Sequence, residues 1–311
     1  MPVTVVGSIA FDAVRTPFGE RERMLGGAAV HFALAASFYD EVRMVGPVGE
    51  DFGEPELAVL ATRGIDTGDI ERVAGGRTFF WRGEYGWDLN TRETLDTQLN
   101  VFEHFEPKLS SSSRSSEVLF LANIQPDLQR RVREQCPQAS FVALDSMDLW
   151  IEIARESLLA TIAGVHCVIL NDAELRQLTG KPNLVAAARE VLGWGPSVVV
   201  AKQGEYGAAL VTPEDFFALP AYPLESVIDP TGAGDTFAGG FVGYVAAHGG
   251  EAPSADVLRR AMAHGTALAS YNVEEFGTER VARLKGEQIS ERVADLERLT
   301  RFTHVPLSLR S

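Results

Sequence analysis

Asp229-Pro230-Thr231-Gly232-Ala233-Gly234-Asp235-Thr236-Phe237-Ala238-Gly239-Gly240-Phe241 is the stretch on which the reading of this chain turns. Glycine is costly in the interior of a helix or strand, so Gly232 and Gly234 mark a turn. The run from Thr236 to Ala247 is small and apolar and predicts a buried helix. The glycines therefore stand where a loop becomes a helix. There the first backbone N–H groups lack partners and the helix dipole is positive, which suits a phosphate. Asp235 stands beside this anion hole. It is either a helix cap or a base that takes a proton from a hydroxyl attacking phosphorus.

Outward from that stretch, apolar runs end repeatedly in polar tips. Val3–Gly7 leads to Asp12, Val42–Val48 to Gly49, and Glu117–Ala122 to Asn123. Phe141–Leu144 leads to Asp145, Val165–Leu170 to Asn171 and Glu174, and Val198–Ala201 to Lys202. Strand, polar tip and helix in alternation predict a doubly wound, mostly parallel α/β sheet whose tips share one edge. Gly26-Gly27, before the apolar run Ala28–Phe38, repeats the loop-into-helix pattern, with His31 inside it. Ser110–Ser116 reads as a surface loop, and Ile289–Phe302 as an amphipathic cover.

Composition narrows the function. With 311 residues and 45% apolar content the chain can bury a large core. Its formal net charge of −15 repels phosphodiester backbones, so no nucleic acid partner is expected. Cys136 and Cys167 form no CxxC or Cys/His cluster, which predicts reduced core thiols rather than zinc ligands. No apolar run approaches membrane-spanning length and no signal peptide is legible, so a cytoplasmic, membrane-free protein is expected. A Gly-x4-Gly-Lys-Ser/Thr loop is absent, and Gly232-x-Gly234 lacks the third glycine of a dinucleotide fingerprint.

Asp229–Asp235 resembles the Asp/Asn-Thr-x-Gly-Ala-Gly-Asp signature of the ribokinase-like (PfkB) carbohydrate kinase family. Val45–Gly53, Asn171-x-x-Glu174 and Lys202-x-Gly204-x-x-Gly207 are similar to further segments of that family, in the same order. The resemblance implies one ribokinase-like domain over 1–311, with a small β lid formed mainly by about 12–20 and 72–100. It implies an ATP-dependent kinase of a small sugar or polyol. Asp235 is then the catalytic base, and Gly232, Ala233 and Gly234 form the anion hole. Asp12, Gly26, Gly27, His31, Arg82 and Asn123 meet substrate; Asn171, Lys202, Gly204, Gly207 and His264 serve the nucleotide. Glu174 serves Mg2+ through water, and Asp229 a monovalent cation such as K+. His31 departs from the asparagine common at its position. It is either a ligand of a sugar hydroxyl or a satisfied helix residue. His264 is either an adenine contact or a packed helix residue. Phe11, Phe79, Phe80 and Trp81 keep a nucleoside substrate open, and the lid makes a homodimer an expectation. The rival reading is a non-catalytic sugar or nucleoside sensor; a sensor has no need of Asp235 with its complete loop.

Overall fold

The computed structural model describes residues 1–249 and 252–304. Thirteen strands are formed among the described residues: β1 Val3–Val6, β2 Ala10–Thr16, β3 Gly19–Gly26, β4 Val42–Val48, β5 Asp66–Arg72, β6 Phe79–Tyr85, β7 Arg92–Gln98, β8 Val118–Leu121, β9 Phe141–Leu144, β10 Cys167–Asn171, β11 Val198–Lys202, β12 Ala208–Val211 and β13 Phe216–Leu219. Nine of them make one sheet in the order β13-β12-β11-β10-β9-β8-β1-β4-β5. From β11 to β5 every neighbouring pair is parallel, and only the pairs β11–β12 and β12–β13 are antiparallel.

This is the doubly wound, mostly parallel α/β arrangement expected from the sequence, and its residue types explain it. The central strands, such as Val118–Leu121 and Phe141–Leu144, are buried at every position. A parallel sheet covered by helices on both faces requires such unbroken apolar runs. The two larger hydrophobic clusters lie on opposite faces: Val5, Phe120 and Ala143 belong to one, Val6, Leu121 and Leu144 to the other. Helices Ala28–Ala36, Ala233–His248 and Ala255–Asn272 supply the first cover. The chain leaves β1 toward β4 and β5 on one side and places β8 to β11 on the other. The order therefore reverses at β1/β8, where an open α/β sheet leaves a crevice beyond its strand ends.

The remaining four strands form a second sheet, β3-β2-β6-β7. Strands β2 and β6 pair in parallel with Asp12 opposite Trp81 and Ala13 opposite Arg82. Side chains alternate along a strand, so Asp12, Trp81, Gly83 and Tyr85 share one face, and Phe11, Ala13, Phe80 and Arg82 the other.

Local expectations fared unevenly. The Thr236–Ala247 helix exists and starts earlier, at Ala233. The amphipathic C-terminal helix runs Gly286–Thr300. Ser110–Ser116 is not a plain loop. Ser111–Arg114 form a helical turn, capped by the Ser110 hydroxyl on the Ser113 N–H, with Ser113 and Ser116 buried against Thr4. Cys136 and Cys167 are free and buried.

Candidate active site

The Asp229–Asp235 loop is held from three sides. Asp229 is fully buried; its Oδ1 accepts the Thr231 N–H at 2.9 Å and its Oδ2 the Gly277 N–H at 3.0 Å. It thus acts as a clasp between the loop and the C-terminal segment. Asn272 donates to the Thr231 carbonyl at 2.7 Å and accepts the Thr236 hydroxyl at 3.0 Å. From the second sheet, Tyr85 Oη accepts the Thr231 hydroxyl at 3.2 Å.

Helix Ala233–His248 begins with Gly232 in the left-handed region at φ 72°, and no side chain caps it. An L residue is strained there, and a Cβ at Gly232 would overlap the His31 imidazole. Asp235, in the first turn, is not the cap. The Ala233 N–H is donated to the Pro230 carbonyl at 3.2 Å, so of the three expected anion-hole amides this one closes the turn instead.

Beside the hole lies a cluster of charge. Lys202, at the end of β11, donates from Nζ to Asp145 Oδ2 at 3.1 Å, and Asp145 is 5% exposed at the end of β9. The same ammonium would stand 3.0 Å from a Cβ on Gly234. Burial works to lower the Lys202 ammonium, and the carboxylates of Asp145, Glu174 and Asp235 outweigh it and raise it. Burial and the Asp145 charge push Asp235 up to about 7 against the pull of Lys202. Glu174 also rises to about 7, by burial first, with Lys202 opposing and Asp145 adding to the shift. Glu174 and Asn171 cap one another: each accepts the other's N–H at 2.8 Å.

On the other side of Asp235, Asp12 is 7% exposed on β2. Burial, then the charge of Asp229, push it up to about 7; the Gly27 N–H opposes this and Asp235 adds to it. A Cβ on Gly26 would overlap Asp12 Oδ2, so the two-glycine loop closes directly on this carboxylate. Asp12, Gly26, Gly27, Gly232, Gly234, Asp235, Lys202 and Glu174 are thereby gathered at one end of the sheet.

Other expected residues sit differently. Arg82 is exposed, on the face of the second sheet opposite Asp12, with its guanidinium 5.9 Å from the Phe80 ring centroid. His264 bonds Tyr39 Oη at 2.9 Å and stacks on Tyr244, nine residues and roughly 13 Å along the helix from Asp235. It belongs to an aromatic cluster, and burial followed by the His248 charge push it down to about 4. Asn123 is spent locally: its Oδ1 accepts the Trp150 indole N–H at 2.9 Å and its amide points to Met147. Gly204 and Gly207 flank the β11–β12 turn, in which the Gln203 N–H meets the Gly207 carbonyl at 2.8 Å. His31 is 2% exposed behind Gly232. Two residues were not singled out from sequence. Asp145 carried the same signal as Asn123 and Asn171, a polar residue at a strand end. Asn272 carried none.

Comparison with known proteins places the chain in a family. The model of the pfkB family carbohydrate kinases matches residues 3–283. The chain is 30% identical over 249 residues to the cytidine kinase of Thermococcus kodakarensis, covering 78% of this chain and 87% of that protein. It is 27% identical over 261 residues to the ribokinase of Lactococcus lactis, covering 77% and 82%. Among solved structures, the nucleoside kinase of Methanocaldococcus jannaschii superposes with a TM-score of 0.78 at 19% identity, over 94% of this chain and 98% of that one.

Proposed function

Since the chain belongs to the pfkB family of carbohydrate kinases, we propose that it transfers the γ-phosphoryl group of ATP to a hydroxyl of a small sugar-type substrate. The observation that carries this reading is Asp235, a carboxyl pushed to about 7 in the first turn of a helix that no side chain caps. A base with that affinity is well matched to removing a hydroxyl proton near neutral pH. The freed oxygen attacks the γ-phosphorus, the bond to the bridging oxygen breaks, and ADP leaves. The Gly234 N–H, the helix dipole and the Lys202 ammonium lie where charge grows on the transferring group. Asp145 holds Lys202 in place. Asp12 and the Gly26–Gly27 loop accept and orient substrate hydroxyls, while the sheet carrying Trp81 and Tyr85 covers the site and limits water.

Three carboxylates, Asp145, Glu174 and Asp235, share one ammonium here. Among the described residues no three such side chains come together as direct metal ligands, so Mg2+ fits here only as an ion that Asp145 and Glu174 would hold through water. When bound, the ion supplies charge neutralisation between the phosphates.

A nucleoside acceptor is the second reading. Trp81 shares a face with Asp12, so an aromatic plane lies beside the sugar-binding carboxylate. Two relatives bear the names cytidine kinase and nucleoside kinase. Of the four aromatics considered for base stacking, Phe11 and Phe80 lie on the opposite face, and Phe79 is stacked on Phe102 at 5.5 Å. The two readings separate in ADP release from Mg2+-ATP against hexoses, pentoses, inositols and nucleosides. Turnover confined to nucleosides establishes the second and removes the first. Thermal stabilisation by a sugar or nucleoside without any turnover would leave a sensor.

A further inference from the structure

The residue behind the anion hole has a definable protonation state. Asn272 fixes its own amide orientation, because Nδ2 must donate to the Thr231 carbonyl at 2.7 Å. Its Oδ1 therefore faces both the Thr236 hydroxyl at 3.0 Å and His31 Nδ1 at 3.1 Å. An amide oxygen only accepts, so His31 Nδ1 carries a proton. Burial pushes His31 down to about 4, the Asn272 bond opposing, so the ring is neutral near pH 7 and holds a single N–H. Nε2 is then a bare lone pair, and it is buried with no partner among the described residues.

We propose that His31, in the Nδ1–H tautomer, is a positioning residue for phosphoryl transfer: with Asn272 it braces both ends of the Thr231–Thr236 turn, and its ring backs Gly232. The geometry is that of a strut. His31 is on helix Ala28–Ala36, Asn272 ends helix Ala255–Asn272, and the turn they hold opens helix Ala233–His248. His31, Thr236 and Asn272 are 2%, 0% and 0% exposed, so water cannot replace a lost bond. The ring fills the space a Gly232 side chain would need, which leaves the turn no room to fall back. Small displacements of an anion hole weaken transition-state contacts more than substrate binding. The role of His31 in turnover rests on the kinase reading above; the tautomer and the bracing do not.

Two measurements test it on the full chain. Long-range 1H–15N correlation on the histidine ring reads the tautomer directly, and hydrogen exchange reads the Thr231–Thr236 amides. The proposal expects Nδ1–H for His31 and faster exchange of those amides in His31→Phe, which keeps a ring and loses the donor. Kinetics on an accepted substrate form the second arm. Displacement of the anion hole lowers kcat about tenfold in His31→Phe, with acceptor KM changed less than about twofold. His31→Asn, whose amide nitrogen stands near the Nδ1 position, restores most of that loss even if it is thermally weaker. Asn272→Leu combined with His31→Phe is no worse than Asn272→Leu alone, because the His31 donor acts only through Asn272.

An Nε2–H tautomer overturns the proposal, as does His31→Phe with a lowered Tm, wild-type kcat and unchanged amide exchange. A raised acceptor KM with unchanged kcat overturns it in favour of direct contact with substrate. If the wild-type protein phosphorylates nothing, the kinase reading fails while the NMR arm still decides the bracing.

Discussion

Two neighbouring glycines give opposite expected outcomes on substitution by alanine. Gly232 has φ 72°, where an L residue costs roughly 1–2 kcal/mol. The new Cβ would also overlap a His31 ring that is 2% exposed and bonded to Asn272. Overpacking of that kind costs about 1–3 kcal/mol. Together they predict a loss of about 2–5 kcal/mol, or a fall in Tm of about 4–10 °C at roughly 2 °C per kcal/mol for a chain of this size. Gly234 lies within the helix, where alanine is favoured over glycine by up to about 1 kcal/mol. Its Cβ would stand 3.0 Å from Lys202 Nζ, the far end of a flexible chain that can yield. Gly234→Ala therefore keeps or slightly raises Tm. Its methyl group nevertheless occupies the approach to the anion hole, and turnover falls about 10²-fold or more, the size of losing one such donor. Differential scanning calorimetry run beside an ADP-release assay reads both. Gly232→Ala with an unchanged Tm would refute the packing of His31 behind the turn. Gly234→Ala with full turnover would refute the placement of the phosphoryl group.

Three further outcomes follow from the charges. Lys202→Met lowers kcat about 10²–10³-fold, the range for removing one transition-state donor. Its acid limb moves to higher pH, because Lys202 is the group that pulls Asp235 down. In the wild-type protein, kcat/KM rises with pH up to about 7 and then levels as Asp235 ionises; a flat profile from pH 5 to 8 would sink Asp235 as base. Asp12 is raised in the fold from 3.8 to about 7. Its contribution to stability is complete below the unfolded value and is lost as pH rises through 7. Asp12→Asn accordingly stabilises the protein at pH 8 by up to about 4 kcal/mol. That gain shrinks between pH 7 and pH 4, as urea unfolding at pH 8 and pH 5 will report.

What the sequence made legible was whatever is written locally. Buried parallel strands need unbroken apolar runs, so Val118–Leu121 and Val198–Ala201 announced themselves and their polar tips with them. Gly232 marks a turn that opens a helix as expected, whereas Gly234, also read as a turn residue, lies inside that helix. What stayed hidden depends on register and reach. That Lys202 meets Asp145 requires β10 to lie between β9 and β11. Arg82 and Trp81 are adjacent in sequence, and only the pairing of β6 with β2 decides which one shares the face of Asp12. His264 could not be assigned a face without knowing that Gly240 and Gly265 let two helices close together, setting the imidazole on Tyr244. Asn272 gave no signal, since its partners Thr231, Thr236 and His31 lie 41, 36 and 241 positions away.

The central claim is that Asp235 is the base in phosphoryl transfer, and Asp235→Asn tests it most directly. With an accepted substrate and Mg2+-ATP, the account predicts that ADP release falls about 10²–10⁴-fold, the usual contribution of a positioned base. The dissociation constants of ATP and acceptor, measured by calorimetry, should stay within a few-fold, because the asparagine keeps the shape of the site. Turnover of Asp235→Asn within about threefold of wild type would contradict the account, since no positioned base contributes so little.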